Sequence, residues 1–242
     1  MSRQDKISEP LIPSMNTRLC VDRKQTLAKN GWSLFRDVEL SNNILRAASL
    51  FGRPVCQQGS SPLSVITPHE TNTARRNSTS ATYGLDVFPM HTDMAHWPLP
   101  PRYIVMRARK TAQNVPTLLI DSHELQLDDS SLSGWRCAVW KVSKVRHPFL
   151  CSMYFEYHRH LGIRWDVCTM SPYGTLATKI AAGISRQFEN MSNKQAVAIT
   201  WESTADILVI DNWRMLHSRP AIPKSAIERT LERVLVEESR YG

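Results

Sequence analysis

The amino-acid sequence predicts a mainly β fold with flanking helices. Short apolar runs rich in β-branched and aromatic residues recur after Val87, turn-forming residues separate them, and one long helical pattern interrupts them. A hydrophobic fraction of 42% and seven tryptophans supply the material for a core. We therefore predict a single domain over residues 23–242, preceded by a polar N-terminal arm over residues 1–22.

The domain is predicted to open with a strand and a helix. The run GWSLFRDV alternates enough for a strand, and SNNILRAASLFG begins with capping residues and stops at Gly52. Residues 57–84 are rich in Ser, Thr, Asn and Pro and predict a long loop. Because long loops in compact domains are often functional, we expect the segment from about Gln57 to Thr82 to border a pocket as a lid.

The strands predicted beyond Val87 are short and are interrupted by one helix. The helix is predicted within residues 174–191, where apolar residues from Leu176 to Phe188 recur every four positions and form one stripe. A jelly-roll core, that is a double-stranded β-helix with helices outside it, accommodates this order of elements. The predicted strands are YIVMRA, TLLID, AVWKVSKV, MYFEY, IRWDVCTM, AVAITWE, DILVID and TLERVLVEE.

Composition and charge narrow the class of protein. No stretch approaches the roughly 18 apolar residues of a membrane span, and the N-terminus lacks the apolar centre of a secretory signal, so we expect a cytoplasmic protein. The five cysteines form no CxxC pair, which indicates reduced, mostly buried thiols. The net charge of +8 suits nucleic acid, an anionic membrane or small anions, but the basic residues are scattered, so neither a membrane nor a nucleic-acid partner is expected.

Two histidines and an aspartate carry the first chemical signal. His91 and Asp93 are two residues apart, and on a strand such residues point to the same face. His217 follows the apolar run Ile207–Ile210. Two histidines and one carboxylate bind one face of Fe(II) and leave positions open for a cosubstrate and oxygen. Taken singly, the motifs also fit a solvated strand face and a structural histidine.

Two arginines near the C-terminus carry the second signal. Arg229 and Arg233 are four residues apart, so on a strand they share a face. Near a buried centre they need anionic partners, because an unpaired buried charge is costly. A guanidinium pairs bidentately with a carboxylate, so an acidic ligand is one such partner. A basic edge strand is the alternative interpretation.

Together these motifs resemble the taurine dioxygenase and clavaminate synthase-like family of Fe(II)/2-oxoglutarate oxygenases, over about residues 31–236. In that family a His-x-Asp is followed some two dozen residues on by a threonine, and the distal histidine about a dozen residues on by an arginine. Here Thr117 lies 24 residues after Asp93, and Arg229 lies 12 after His217. The sequence departs from the family where NVPT replaces Gly-Gly-x-Thr and HSR replaces His-Gly-Arg.

The resemblance implies an iron and cosubstrate site. His91, Asp93 and His217 would be the metal ligands, and Arg229 with the Thr117 hydroxyl would bind the distal carboxylate of 2-oxoglutarate. The implied reaction oxidises a substrate beside the metal with O2 and releases succinate and CO2. No catalytic residue beyond the metal ligands is implied.

The resemblance also indicates a substrate class. In related enzymes the position of Arg233 faces the substrate's acidic group, so we expect a small anionic substrate, an amino acid or a specialised-metabolite intermediate. Pairing of Arg233 with a protein carboxylate such as Asp166 or Glu202 is the alternative. Asn212 is expected to steady His217. An oxygenase acting on a macromolecule and a non-catalytic metal or metabolite sensor stay open, as does assembly into a homo-oligomer.

Overall fold

The computed structural model describes residues 15–56, 61–74, 79–125, 134–143 and 145–238. Antiparallel sheets dominate this part of the chain, with helices outside them, which confirms the predicted mainly β class. None of the described helices is long and apolar enough to cross a membrane.

The helices and strands follow one another along the chain as short elements. The helices are α1 (Met15–Asn30), α2 (Val38–Asn42), α3 (Ile44–Ser49), α4 (Ser80–Tyr83) and α5 (Thr175–Lys194), with 3-10 turns at Ser122–Glu124 and Lys224–Ala226. The strands are β1 (Trp32–Arg36), β2 (Arg53–Val55), β3 (Leu63–Ile66), β4 (Phe88–His91), β5 (Tyr103–Lys110), β6 (Thr117–Asp121), β7 (Val139–Val142), β8 (Phe149–Ser152), β9 (Tyr154–Tyr157), β10 (His160–Ile163), β11 (Met170–Tyr173), β12 (Val197–Ile199), β13 (Asp206–Asp211), β14 (Met215–Arg219) and β15 (Thr230–Glu237).

The larger sheet carries its strands in the order β1-β13-β5-β15-β2, and β3 also pairs with β15. The centre of β13, Ile207–Ile210, is wholly apolar because both faces of the sheet are covered there. One face packs against α1 and α3 through side chains such as Leu27, Ala48 and Val209. The other face is directed towards the second sheet.

The smaller sheet has the order β12-β6-β14-β4 and faces the larger one across a shared core. Leu208 and Ile104 from the larger sheet belong to the same buried cluster as Leu119, Ile199 and Met215 from the smaller sheet. Two antiparallel sheets packed face to face in this way form the jelly-roll core that the sequence predicts. His91, Thr117 and Arg229 lie at or next to the ends of strands, and His217 lies in the centre of β14.

Helix α5 covers the outside of the smaller sheet, together with the separate sheet β11-β7-β8. The predicted helix is confirmed, but its predicted apolar stripe is buried only in part: Ile184 and Phe188 are buried, whereas Leu176 is 42% exposed. Steps of four residues overshoot a turn of 3.6 residues by about 40° each, so the stripe rotates by roughly 120° between Leu176 and Phe188. The buried side chains of the helix are Ala177, Ile184, Phe188 and Met191.

Two predicted elements near the N-terminus are built differently. The predicted single helix after β1 is divided into α2 and α3 at Asn43, which has non-helical dihedral angles and whose side chain accepts from the Arg46 backbone N–H at 3.1 Å. Capping by asparagine favours a new helix start over continuation. Helix α1 begins at Met15, inside the predicted polar arm, of which residues 1–14 lie outside the described residues.

The strand predicted over IRWDVCTM is wrong in its centre. Only its ends belong to strands, Ile163 to β10 and Met170 to β11. Between them the Asp166 carboxylate accepts from the Cys168 backbone N–H at 2.8 Å and from the Thr169 hydroxyl at 2.7 Å. Local bonds of this kind compete with a strand ladder and turn the chain.

The cysteines are less buried than the sequence predicts. Cys56 and Cys137 are exposed, and Cys151 and Cys168 are partly exposed, so the expectation of mostly buried thiols is wrong for the four described cysteines.

Candidate metal and cosubstrate site

His91, Asp93 and His217 converge on one point at the edge of the smaller sheet. His91 is the last residue of β4 and lies opposite His217 of β14 in the antiparallel register. The Oδ1 atom of Asp93 is 3.7 Å from Nε2 of His91 and 3.8 Å from Nε2 of His217. All three ligand atoms lie within 4.8 Å of one another, close enough to coordinate one ion.

A turn between the two sheets brings His217 to this point. The chain leaves the larger sheet at Asp211, whose carboxylate accepts from the Trp213 backbone N–H at 3.1 Å. It then returns as β14 in the smaller sheet, a strand that the sequence did not predict. Beyond β4, Asp93 lies outside the strand, so its side chain converges with His91 through the following turn and not through strand periodicity alone.

Asn212 holds the backbone of Asp93. Its side-chain oxygen accepts from the Asp93 N–H at 2.9 Å, and its amide donates to the carbonyls of Asp93 at 3.0 Å and Pro101 at 2.9 Å. Asn212 was expected to steady His217, but its side chain bonds directly to the backbone of Asp93. All the bonds that the amide makes to these groups are buried, which fixes the carboxylate's position.

A buried arginine secures the turn that follows Asp93. Met94 has a φ of 56°, in the left-handed region that a residue with a side chain rarely adopts. Arg164 donates to the carbonyls of Trp97 and Pro98, at 2.8 Å each. Because Arg164 is only 3% exposed, these bonds are shielded from water and hold the strained turn in place.

The two histidines present their Nε2 atoms to the common point. Nδ1 of His91 lies 3.0 Å from the Pro89 carbonyl oxygen, and donation of a proton there leaves Nε2 with a free lone pair. Burial, together with the like charge of His91, lowers the pKa of His217 to about 4. The His217 imidazole is therefore neutral near pH 7, the form that coordinates a metal.

Arg233 pairs with the proposed metal ligand Asp93. Its Nη1 atom lies 2.8 Å from both carboxylate oxygens of Asp93. Burial raises the pKa of Asp93, but Arg233, His217 and His91 outweigh burial and hold that pKa well below its ordinary value. Asp93 is thus ionised and suited to bind a cation.

This pairing agrees with the alternative expectation that Arg233 meets a protein carboxylate, but the carboxylate is not one of the two that the sequence suggested. Its partner is neither Asp166, which bonds within its own turn, nor Glu202, which lies 3.5 Å from Arg36. Nor is Arg233 left without a counter-charge, as its use for a substrate acid alone would require. Its Nε nevertheless has no hydrogen-bond partner within the described part of the chain.

Arg229 is buried without an anionic partner. It precedes β15, is 5% exposed, and its guanidinium makes no hydrogen bond or ion pair with any residue in the described ranges. Burial, with the like charge of Arg219, lowers the pKa of Arg229 to about 10. An isolated buried cation is costly, and no acidic side chain in the described part of the chain offsets the charge of Arg229.

Arg219, two residues after His217, is the neighbour that the sequence analysis missed. It is tied to main-chain oxygens, because its guanidinium donates to the carbonyls of Gly84 and Asp86 at 2.6 Å each. The signal was available, since residues two apart on a strand share a face. Arg219 adds positive potential beside Arg229 and connects β14 to the segment that follows α4.

A small apolar cluster brings Thr117 and Arg229 to the same cavity. Val115, which stands in the NVPT segment where related sequences have glycine, is fully buried against Ile222 and Ala226. Val115 precedes Thr117 by two residues, and Ala226 precedes Arg229 by three. Val115, in place of glycine, therefore packs the segment before Thr117 against the segment before Arg229.

These side chains surround one cavity of about 240 Å³. Its wall includes residues 66–68 and 79–80, so part of the predicted lid borders the cavity. Residues 57–60 and 75–78 of that segment lie outside the described residues. At residues 63–66 the segment forms strand β3 and not a loop. His96 and Asp166 also line it, and no sequence motif had indicated them as lining residues. The site residues that line it are His91, Asp93, Thr117, His217, Arg219, Arg229 and Arg233.

Comparison with known proteins identifies the fold through structure and not through sequence. No family model and no curated protein sequence matches the chain. An asparagine oxygenase in complex with Fe(II), 2S,3S-3-hydroxyasparagine and succinate matches with a TM-score of 0.73 and 13% identity, over 93% of this chain and 80% of that one.

Two further structures give the same result. The non-heme iron oxygenase OrfP in complex with Fe and alpha-ketoglutaric acid matches with a TM-score of 0.69 and 17% identity, over 92% of this chain and 80% of that one. The PvcB protein from Pseudomonas aeruginosa matches with a TM-score of 0.64 and 18% identity, over 90% and 79%. The chain has the fold of these proteins over nearly its whole length.

Proposed function

We propose that this protein is an Fe(II)- and 2-oxoglutarate-dependent oxygenase. The observation that carries the proposal is the presence, in one cavity, of a two-histidine, one-carboxylate cluster and of buried Arg229, which has no acidic partner among the described residues. A metal site alone leaves Arg229 unexplained. A dicarboxylate that binds the metal at one end and Arg229 at the other accounts for both features.

The donor set fits iron(II). His91 and His217 offer ring nitrogen and Asp93 offers ionised oxygen, all from one side, which is the facial arrangement of non-haem iron oxygenases. A metal held by these three residues would keep coordination positions for the 2-oxo acid end of 2-oxoglutarate and for O2. Arg233 remains beside Asp93 and offsets part of the negative charge that the carboxylate carries before the metal binds.

The protein's own contribution is placement. Iron and 2-oxoglutarate, when bound, supply the oxidation of a substrate C–H bond by O2 with succinate and CO2 as products. Arg229 and the Thr117 hydroxyl fix the distal carboxylate, and so set the position of the other end of the cosubstrate at the metal. Met106, Ile222 and Leu231 line the same cavity with apolar surface and limit the entry of water.

The substrate we propose is a small anionic molecule, an amino acid or a derivative of one. The cavity of about 240 Å³ has room for little more than the cosubstrate and a molecule of that size. Arg233 lines the cavity beside the metal ligands, and its positive charge suits an acidic group of the substrate. Similar proteins point the same way, since the asparagine oxygenase and OrfP were crystallised with 3-hydroxyasparagine and (3S)-hydroxy-L-Arg.

The proposal is tested by succinate release from protein reconstituted with Fe(II) under exclusion of O2. The loaded protein is mixed with 2-oxoglutarate, O2 and a panel of free amino acids, and succinate is measured against a matched sample without amino acid. A substrate raises succinate formation and gains one oxygen atom or loses two hydrogens. Binding of metal and 2-oxoglutarate with no succinate from any sample would identify a sensor instead.

A further inference from the structure

Trp201 lies against the Thr117 hydroxyl from within the core. It is fully buried in the cluster between the two sheets, in the segment that joins β12 to β13. Its indole Nε1 lies 3.1 Å from Oγ1 of Thr117. Thr117 borders the cavity, whereas Trp201 is not one of the residues that line it.

The chemistry of the indole fixes the direction of this hydrogen bond. An indole N–H is a donor only, so the Thr117 oxygen must be the acceptor. A threonine hydroxyl otherwise rotates between donating and accepting roles. With the indole on one side, the hydroxyl's own proton is directed elsewhere, and within the described ranges no protein acceptor is recorded for it. The cavity is the direction that remains.

We propose that Trp201 is a positioning residue for the cosubstrate: it holds the Thr117 hydroxyl as a donor towards the distal carboxylate of 2-oxoglutarate. The inference rests on the proposed function and deepens it. An ionised carboxylate only accepts hydrogen bonds, so a hydroxyl whose proton already faces the cavity is matched to it before binding. Arg229 supplies the charge, and the Trp201–Thr117 pair supplies an oriented neutral donor.

The two residues depend on each other. A buried indole N–H is costly without a partner, and Thr117 is the partner recorded for Trp201. A phenylalanine at position 201 would keep most of the apolar packing but remove the donor. The Thr117 proton would then be free to turn away from the cavity, and a ligand carboxylate would have to restore its orientation on binding.

The test compares two ligands on protein loaded with Mn(II) in the absence of O2. Calorimetry gives the dissociation constants of 2-oxoglutarate and of 2-oxopentanoate, which has the same metal-binding end but no distal carboxylate. We expect Trp201→Phe to weaken 2-oxoglutarate binding by about three- to tenfold, the size of one ordinary hydrogen bond, and to leave 2-oxopentanoate binding unchanged.

Variants of Thr117 show whether Trp201 acts through it. Thr117→Val should give the same selective loss, Thr117→Ser should restore wild-type affinity, and adding Trp201→Phe to Thr117→Val should cause no further loss. Trp140→Phe is the control, because Trp140 is equally buried in the other core cluster and its Nε1 has no partner in the described structure. It should leave both dissociation constants unchanged.

Equal weakening of both ligands by Trp201→Phe would overturn the inference, since general loss of packing does not distinguish the distal carboxylate. No change with 2-oxoglutarate would overturn it as well. If Trp201→Phe does not fold, benzothienylalanine at position 201, which keeps the indole's shape but lacks the N–H, gives the same comparison. A wild-type protein that binds Mn(II) but not 2-oxoglutarate would overturn the proposed function itself.

Discussion

Arg229 and Arg233 lie four residues apart and line the same cavity, yet they are held in opposite ways. Arg233 contacts both oxygens of Asp93 at 2.8 Å, whereas Arg229 is more deeply buried and contacts no acidic group in the described structure. In the proposed function, one cation is neutralised within the chain and the other binds a ligand. The comparison teaches that spacing identifies which arginines face a site but not which of them is available to a ligand.

Removal of a metal ligand should have the largest effect. We expect His91→Ala and His217→Ala to lose Fe(II) binding. Without the metal, neither Arg229 nor Arg233 can contribute to turnover. Fe(II) binding by dialysis and consumption of 2-oxoglutarate are the measurements. His160→Ala, at an exposed histidine of β10, is the control and should match wild type. Turnover of 2-oxoglutarate at the wild-type rate by both ligand variants would refute the assignment.

Removal of Arg233 should destabilise the metal-free protein. In Arg233→Met the buried Asp93 carboxylate loses its counter-charge, and breaking a buried pair costs on the order of 3 kcal/mol of unfolding free energy. Denaturant unfolding measures the loss, and saturating Mn(II) should recover part of it because the metal replaces the missing positive charge. An unchanged unfolding midpoint without metal would mean that the ion pair contributes little.

The same variant tests the substrate role proposed for Arg233. At saturating 2-oxoglutarate, Arg233→Met should raise the KM for an acidic substrate more than the KM for the cosubstrate. Equal activity of the wild-type enzyme on the substrate acid and on its methyl ester would argue against an acid-binding role. In that case Arg233 would serve Asp93 alone.

Removal of Arg229 should act on the ligand instead of on the fold. Arg229→Leu loses a charge-assisted hydrogen bond to 2-oxoglutarate, about 1.5–3 kcal/mol or roughly a 10- to 150-fold rise in the dissociation constant. Its metal-free stability should stay equal to wild type or increase, because an unpaired buried cation has been removed. Arg229→Lys keeps the positive charge but lacks the guanidinium's paired N–H donors. Its dissociation constant for 2-oxoglutarate should therefore lie between those of wild type and Arg229→Leu. A marked loss of metal-free stability in Arg229→Leu would mean that Arg229 serves the fold and not a ligand.

The sequence was sufficient for the parts of the site that depend on periodicity and spacing. His91 with Asp93, and Arg229 with Arg233, line the same cavity, as their spacing predicted, although Asp93 lies beyond β4 and Arg229 precedes β15. The mainly β core followed from short apolar runs between turns. Each of these inferences uses contacts between residues close in sequence, where local geometry restricts the answer.

Features that depend on distant residues were not predictable. Asp93 lies 140 residues from Arg233, and nothing local indicates their ion pair. Asn212 bonds to Asp93 and not to His217, which is nearer in sequence. A turn between the two sheets separates Asn212, directly after β13, from His217 in β14. The exposed Leu176 shows the same limit, since a stripe inferred from spacing takes no account of which part of the helix meets the sheet.

The smallest expected effect concerns the segment at residues 57–82, which borders the cavity at 66–68 and 79–80. We propose that it becomes more ordered when substrate binds. The sequence offers trypsin cleavage sites at Arg75 and Arg76, and cleavage there should slow several-fold when metal, 2-oxoglutarate and substrate are all present. Equal cleavage rates with and without ligands, in an enzyme already proved active, would mean that this segment is not a lid.

The most direct test of the central claim is an anaerobic titration of 2-oxoglutarate into wild-type protein with and without bound Fe(II). A cavity in which His91, Asp93 and His217 hold the metal and Arg229 awaits an anion should bind one 2-oxoglutarate per protein, and only weakly when the metal is absent. Arg229→Leu, measured beside it, should retain the metal and bind 2-oxoglutarate far less tightly. Binding that is absent, or that is the same with and without Fe(II), would contradict the account.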